Sequence, residues 1–73
     1  MGKKLTVAII GCGSFAENFV TLFKAHPYVE KVYVCDRIRQ RAEEFSRRFG
    51  VEIVDSFEDA LTNPKINCVA NFT

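Results

Sequence analysis

The sequence predicts an α/β fold, a parallel sheet with helices on both faces, assembled in the order βαβαβαβ. Three observations predict it. Four apolar runs of strand length alternate with segments whose apolar residues recur at helical spacing. The first run is apolar and β-branched almost throughout, as a strand covered on both faces requires. Two closely spaced glycines stand where that run gives way to the first helical pattern. Right-handed crossovers then leave few arrangements, and they give the strand order 3-2-1-4.

Each element has its own signal. Leu5 to Ile10 is the first strand. Phe15, Phe19, Leu22 and Phe23, with Ala16 and Val20 beside them, form a helical apolar stripe that His26-Pro27 stops. Val29 to Asp36 is the second strand, through Val32, Tyr33, Val34 and Cys35. Ile38, Ala42, Phe45 and Phe49 fall at i, i+4, i+7 and i+11, and Gly50 is placed to close that helix in a left-handed conformation. Val51 to Val54 makes a short third strand. Ser56 and Asp59 have the spacing of a capping box, opening a brief helix through Phe57, Ala60 and Leu61 that Asn63-Pro64 ends. Ile66 to Phe72 is the fourth strand.

Composition narrows the function classes. The chain has 73 residues, 48% of them hydrophobic and 26% charged, which describes one globular unit near the size where a core is only just adequate. A formal net charge of +1 gives no pull toward nucleic acid or an anionic membrane. No apolar run reaches membrane-spanning length, and the amino terminus lacks a signal-peptide pattern, so a cytoplasmic protein is expected. Cys12, Cys35 and Cys68 are too few and too widely spaced for zinc; reduced thiols acting as small hydrophobes fit them better.

Chemistry concentrates at the first strand-to-helix junction. Gly11-Cys12-Gly13-Ser14-Phe15-Ala16 is a G-x-G-x-x-A directly after a strand and at the opening of a helix, the context in which that motif binds a dinucleotide. Gly11 permits the turn, Gly13 lets backbone approach a pyrophosphate, and the Ser14 and Phe15 amides can donate to it; Cys12 lies between. Asp36, at the carboxyl end of the second strand, can accept both hydroxyls of an adenosine ribose. That carboxylate favours NAD, whereas Arg37 could pair with the 2′-phosphate of NADP or stack on adenine. Arg39, Arg41, Arg47 and Arg48, interleaved with Glu43 and Glu44, read as a solvated helix face. At the helix N-terminus the Cys12 thiol is expected to ionise easily, with Cys35 and Cys68 slow to react inside strands. His26 is expected to interact with the end of its helix, and Asn71 to hydrogen bond near the end of the fourth strand.

The run from "VAIIGCGSFAENF" through "VCDRIRQRAEEFSRRFG" and "DSFEDALTNPKINCVANFT" resembles the amino-terminal domain of the glucose–fructose oxidoreductase, inositol dehydrogenase and rhizopine catabolism (Gfo/Idh/MocA) family. The specific parts are Asp36-Arg37 with Arg41-Ala42 and Phe45, then Phe49-Gly50, Ser56 to Leu61, and the Asn-Pro before the fourth strand. The resemblance implies an NAD- or NADP-dependent dehydrogenase acting on a sugar, sugar derivative or polyol. It also implies that Thr73 falls where the family's fourth strand leads toward the nicotinamide. The family's Glu-Lys-Pro motif and substrate domain lie further on. Residues 1–73 then correspond to the first part of a Rossmann-type dinucleotide-binding domain, no catalytic residue is assigned in them, and the chain alone is expected to be inactive.

Two rival readings use the same residues: a nucleotide-sensing regulatory module without catalysis, and an interaction module with an empty cleft. An apolar fourth strand at the edge of the sheet further predicts self-association.

Overall fold

The computed structural model describes residues 4–72. Its order is β1 (Leu5–Ile10), α1 (Ser14–Ala25), β2 (Val29–Cys35), α2 (Arg39–Phe49), β3 (Glu52–Ile53), α3 (Phe57–Thr62) and β4 (Cys68–Asn71). The sheet is parallel in the order β3-β2-β1-β4, as the sequence predicts. Val7 lies opposite Val32 on one side and Cys68 on the other, and Ile10 opposite Cys35 and Asn71. β3 and β4 are shorter than their apolar runs suggest, because each pairs on one side with a single inner strand.

Side chains of β1 alternate between two cores. Val7 and Ile9 pack with Ala16 and Val20 of α1, Phe45 of α2, and Val32, Val34 and Val51. Ala8 and Ile10 face the other way, with Cys35, Val54 and Ala60 of α3. The helices therefore cover both faces, α1 and α2 on one and α3 on the other.

The stripe on α1 is corrected in one respect. Ala16 and Val20 are its buried residues, while Phe15 is 71% and Leu22 63% exposed. Small side chains bring the helix close to β1, and the larger ones fall to either side. Phe19 stacks on Phe72 with centroids 4.7 Å apart, tying α1 to the segment after β4.

Caps and turns secure the ends of the helices and strands. α2 ends at Gly50, which has φ 66° and ψ 39°, and its N–H donates to Ser46 O at 2.9 Å. Lys24 Nζ donates to Phe49 O. Ser56 Oγ accepts the Asp59 N–H at 2.9 Å, so the predicted cap of α3 forms. Asn67 Oδ1 accepts the Thr6 N–H at 2.9 Å and its own N–H donates to Thr6 O at 3.1 Å, leading into the β1–β4 ladder. His26 meets the end of its helix as expected, but through its backbone. Its backbone N–H donates to Phe23 O at 3.2 Å as the C-cap of α1, while the imidazole Nδ1 accepts the Tyr28 N–H at 3.1 Å inside the turn.

Candidate functional site

The carboxyl ends of β1 and β2 open into a cleft of about 670 Å³. Gly11, Cys12 and Gly13 line it on one side and Asp36, Arg37 and Ile38 on another; Phe57 and Phe72 also border it. The predicted glycine loop and acidic residue thus meet around one space. Ser14 and Phe15 form the first turn of α1 beside that loop. Thr73 lies outside the described residues.

The two loop glycines serve different needs. Gly11 has φ 96°, a conformation that side-chain-bearing residues rarely adopt, so the turn itself calls for glycine. Gly13 is extended, with φ −90° and ψ −171°, where any residue is comfortable. A Cβ built on Gly13 would meet nothing within 4 Å. It is also the N-cap of α1, a position that favours Ser, Thr, Asp or Asn, yet α1 has no side-chain cap. The first amides of a helix lack intrahelical acceptors and carry a partial positive charge. An uncapped helix start with open space at its N-cap suits an anion such as a pyrophosphate.

Asp36 is more engaged than its sequence position suggests. Its Oδ2 accepts the Cys12 N–H at 2.8 Å and its Oδ1 accepts the Ile38 N–H at 2.8 Å. The Gly11 N–H donates to Cys35 O at 2.8 Å, so the β1–β2 ladder continues into the loop. A carboxylate has about four acceptor positions, which leaves about two for a ligand.

The Cys12 expectation is reversed. The thiol is half-buried, and its Sγ lies 3.9 Å from Cys35 O as a weak donor. Burial first, and then the Asp36 charge, push its pKa up to about 12. Loss of solvation at the sulfur outweighs the helix-terminal field. Cys35 is buried and also shifted upward, mainly by desolvation and then by Asp36. Cys68 is exposed, contrary to its expected shielding, because β4 is an outer strand.

Sequence reasoning missed part of the cleft wall. Ile38, expected in the core stripe of α2, is the N-cap and is 50% exposed against the cleft. Arg41, expected on a solvated face, lines the cleft with Arg37. Arg39 does not line the cleft but pairs with Asp55, which does, at 2.6 Å and with Glu43 at 3.5 Å, and Arg48 pairs with Glu17 at 3.1 Å.

A family model for the oxidoreductase family with an NAD-binding Rossmann fold, Gfo/Idh/MocA, matches residues 5–71. The chain belongs to this family. Among solved structures, GenD2 from gentamicin A biosynthesis in complex with NAD is 26% identical, with a TM-score of 0.86 over 100% of this chain and 21% of that one. An NAD-binding protein from Listeria innocua is 30% identical, with a TM-score of 0.85 over 97% and 21%. KijD10, a 3-ketoreductase from Actinomadura kijaniata in complex with NADP and TDP-benzene, is 28% identical, with a TM-score of 0.80 over 92% and 21%. Glutamyl-tRNA reductase of Thermus thermophilus is 42% identical over 48 residues, 66% of this chain and 12% of that protein. The chain therefore spans about an eighth of this curated relative and about a fifth of these Gfo/Idh/MocA-like structures. Among the described residues no helix is long and apolar enough to cross a membrane.

Proposed function

We propose that the cleft holds the adenosine and pyrophosphate of NAD, with NADP as the alternative cofactor, and that residues 1–73 are the first part of the cofactor domain of a longer oxidoreductase. The observation that carries this reading is Gly13, whose missing side chain answers no need of the chain itself and opens space at an uncapped helix start. Gly11 makes the turn, Cys12 anchors the loop, and the Ser14 and Phe15 amides donate to the pyrophosphate. Asp36 accepts ribose hydroxyls on its remaining lone pairs, and Arg37 lies where it can stack on adenine or meet a 2′-phosphate. Thr73 is assigned to the nicotinamide side on family resemblance alone.

Bound dinucleotide supplies a hydride acceptor or donor; these residues bind and orient it. The substrate class is a sugar, sugar derivative or polyol, a reading supported by the ketoreductase among the similar structures. The three free cysteines support a reducing, cytoplasmic setting. With catalytic and substrate-binding residues elsewhere, the 73-residue chain binds cofactor without turnover. It also self-associates by adding a strand from a second copy at the outer side of β4, which sedimentation over a concentration series tests; a monomer at all concentrations refutes it.

Calorimetric titration of the chain with NAD, NADP and ADP tests the cofactor assignment. One-site binding is expected for NAD, and for ADP, which carries the same adenosine and pyrophosphate. Absence of binding by all three overturns it.

A further inference from the structure

We propose that Asp36 is a positioning residue for the glycine loop, holding it in the shape that receives a pyrophosphate, so that it serves cofactors with and without a 2′-phosphate alike. The proposal rests on the cofactor site assigned above. It departs from a role confined to reading the ribose.

The geometry is a three-way tie. One carboxylate oxygen holds Cys12 N–H in the loop after β1, the other holds Ile38 N–H at the start of α2, and the side chain itself is fixed to the end of β2. Bonds to an ionised acceptor are the strong ones, and both are 2.8 Å long. Next to them the Gly11 N–H is held by Cys35 O. Two consecutive loop amides are thereby turned toward β2. This orients the chain so that the following residue, Gly13, presents its bare face to the cleft and leads into the uncapped start of α1. Gly11 at φ 96° has no side chain to hold the turn. The carboxylate supplies from 24 residues away what the loop lacks locally.

Asp36→Ala removes both acceptors at once. The loop then loses its anchor at Cys12, and every ligand that uses the loop is affected. The expected result is a drop of about tenfold or more in affinity for NAD, NADP and ADP alike, with NAD losing in addition the ribose bonds that the carboxylate makes. A ribose-reading role predicts instead a loss for NAD with NADP spared or strengthened, and that outcome overturns the proposal.

A second measurement needs no ligand. Amide hydrogen exchange at Cys12 and Ile38 should accelerate by about tenfold or more in Asp36→Ala, while Ile9 and Val34 in the central ladders keep their protection. Unchanged protection at Cys12 overturns the tie. Should the alanine variant lose protection throughout, Asp36→Asn decides. Its single carbonyl oxygen can hold one of the two amides, so either Cys12 or Ile38 stays protected, and NAD and NADP weaken together; protection of both amides counts against the proposal. A wild-type chain that binds none of the three ligands refutes the cofactor site, and the exchange data then judge the Asp36 tie separately.

Discussion

Gly13 and Gly50 sit at opposite ends of the sheet and are glycine for opposite reasons. Gly50 ends α2 with φ 66°, and an added Cβ would meet only Lys24 Nζ, at an ordinary 3.6 Å. Its constraint is its own backbone. Gly13 opens α1 in an unstrained extended conformation, with empty space where a side chain would go and no cap on the helix behind it. Under the proposed reading its constraint comes from the ligand, where that of Gly50 comes from the turn.

The largest expected effect separates the two. Gly13→Ser places a preferred N-cap residue at the start of α1, so stability should hold or rise by roughly 0.3 kcal/mol. The same hydroxymethyl group occupies the pyrophosphate space, and NAD affinity should fall about 100-fold, near 3 kcal/mol. Urea unfolding and calorimetry on the one variant give both numbers. A serine variant that binds normally would erase the contrast.

Gly50→Ala is the mirror experiment. Holding alanine in the left-handed region costs about 1–2 kcal/mol, to be read as a lower urea midpoint at unchanged slope. Cofactor affinity should not move. A binding defect here would mean that the two ends of the sheet are coupled.

Smaller effects test the thiols beside the loop. In the folded chain Cys12 keeps its proton until about pH 12, whereas an ordinary thiol, at 9.0, releases it sooner. The folded state therefore binds more protons between these values. The contribution of Cys12 to stability is full below about pH 9 and is lost as the pH rises toward 12. Unfolding midpoints of the wild type should fall more steeply over this range than those of Cys12→Ala; parallel curves would contradict the assignment. Smallest in energy, but direct, is the order of alkylation near neutral pH: Cys68 first, with Cys12 and Cys35 slow.

Local patterns made most of the fold legible. Periodicity located all four strands and three helices, Gly50 and Ser56 marked their helix ends, and crossover handedness yielded the strand order. The glycine loop and Asp36 were legible as one constellation because the motif carries its own strand-to-helix context. What escaped depends on distances that no local pattern records. Helical spacing could not say that Ala16 and Val20, rather than Phe15 and Leu22, face the sheet. The field at a helix start suggested an ionised Cys12, but the sulfur's desolvation and its carboxylate neighbour arise from packing. The Asp36 bond to Cys12 spans 24 residues, and Arg41 is drawn to the cleft by the direction of α2, not by its neighbours in sequence.

The position of β1 between β2 and β4 has a consequence for the time order of folding. Val7 meets Val32 after one helical crossover, but it meets Cys68 only when nearly the whole chain has been gathered in. The second closure spans more than twice the first and costs roughly 0.8 kcal/mol more in chain entropy. β4 should dock late, leaving the most deeply buried strand of the native sheet open along one edge while the rest takes shape. During that interval β1, not β4, is the strand most in need of protection from a neighbouring chain.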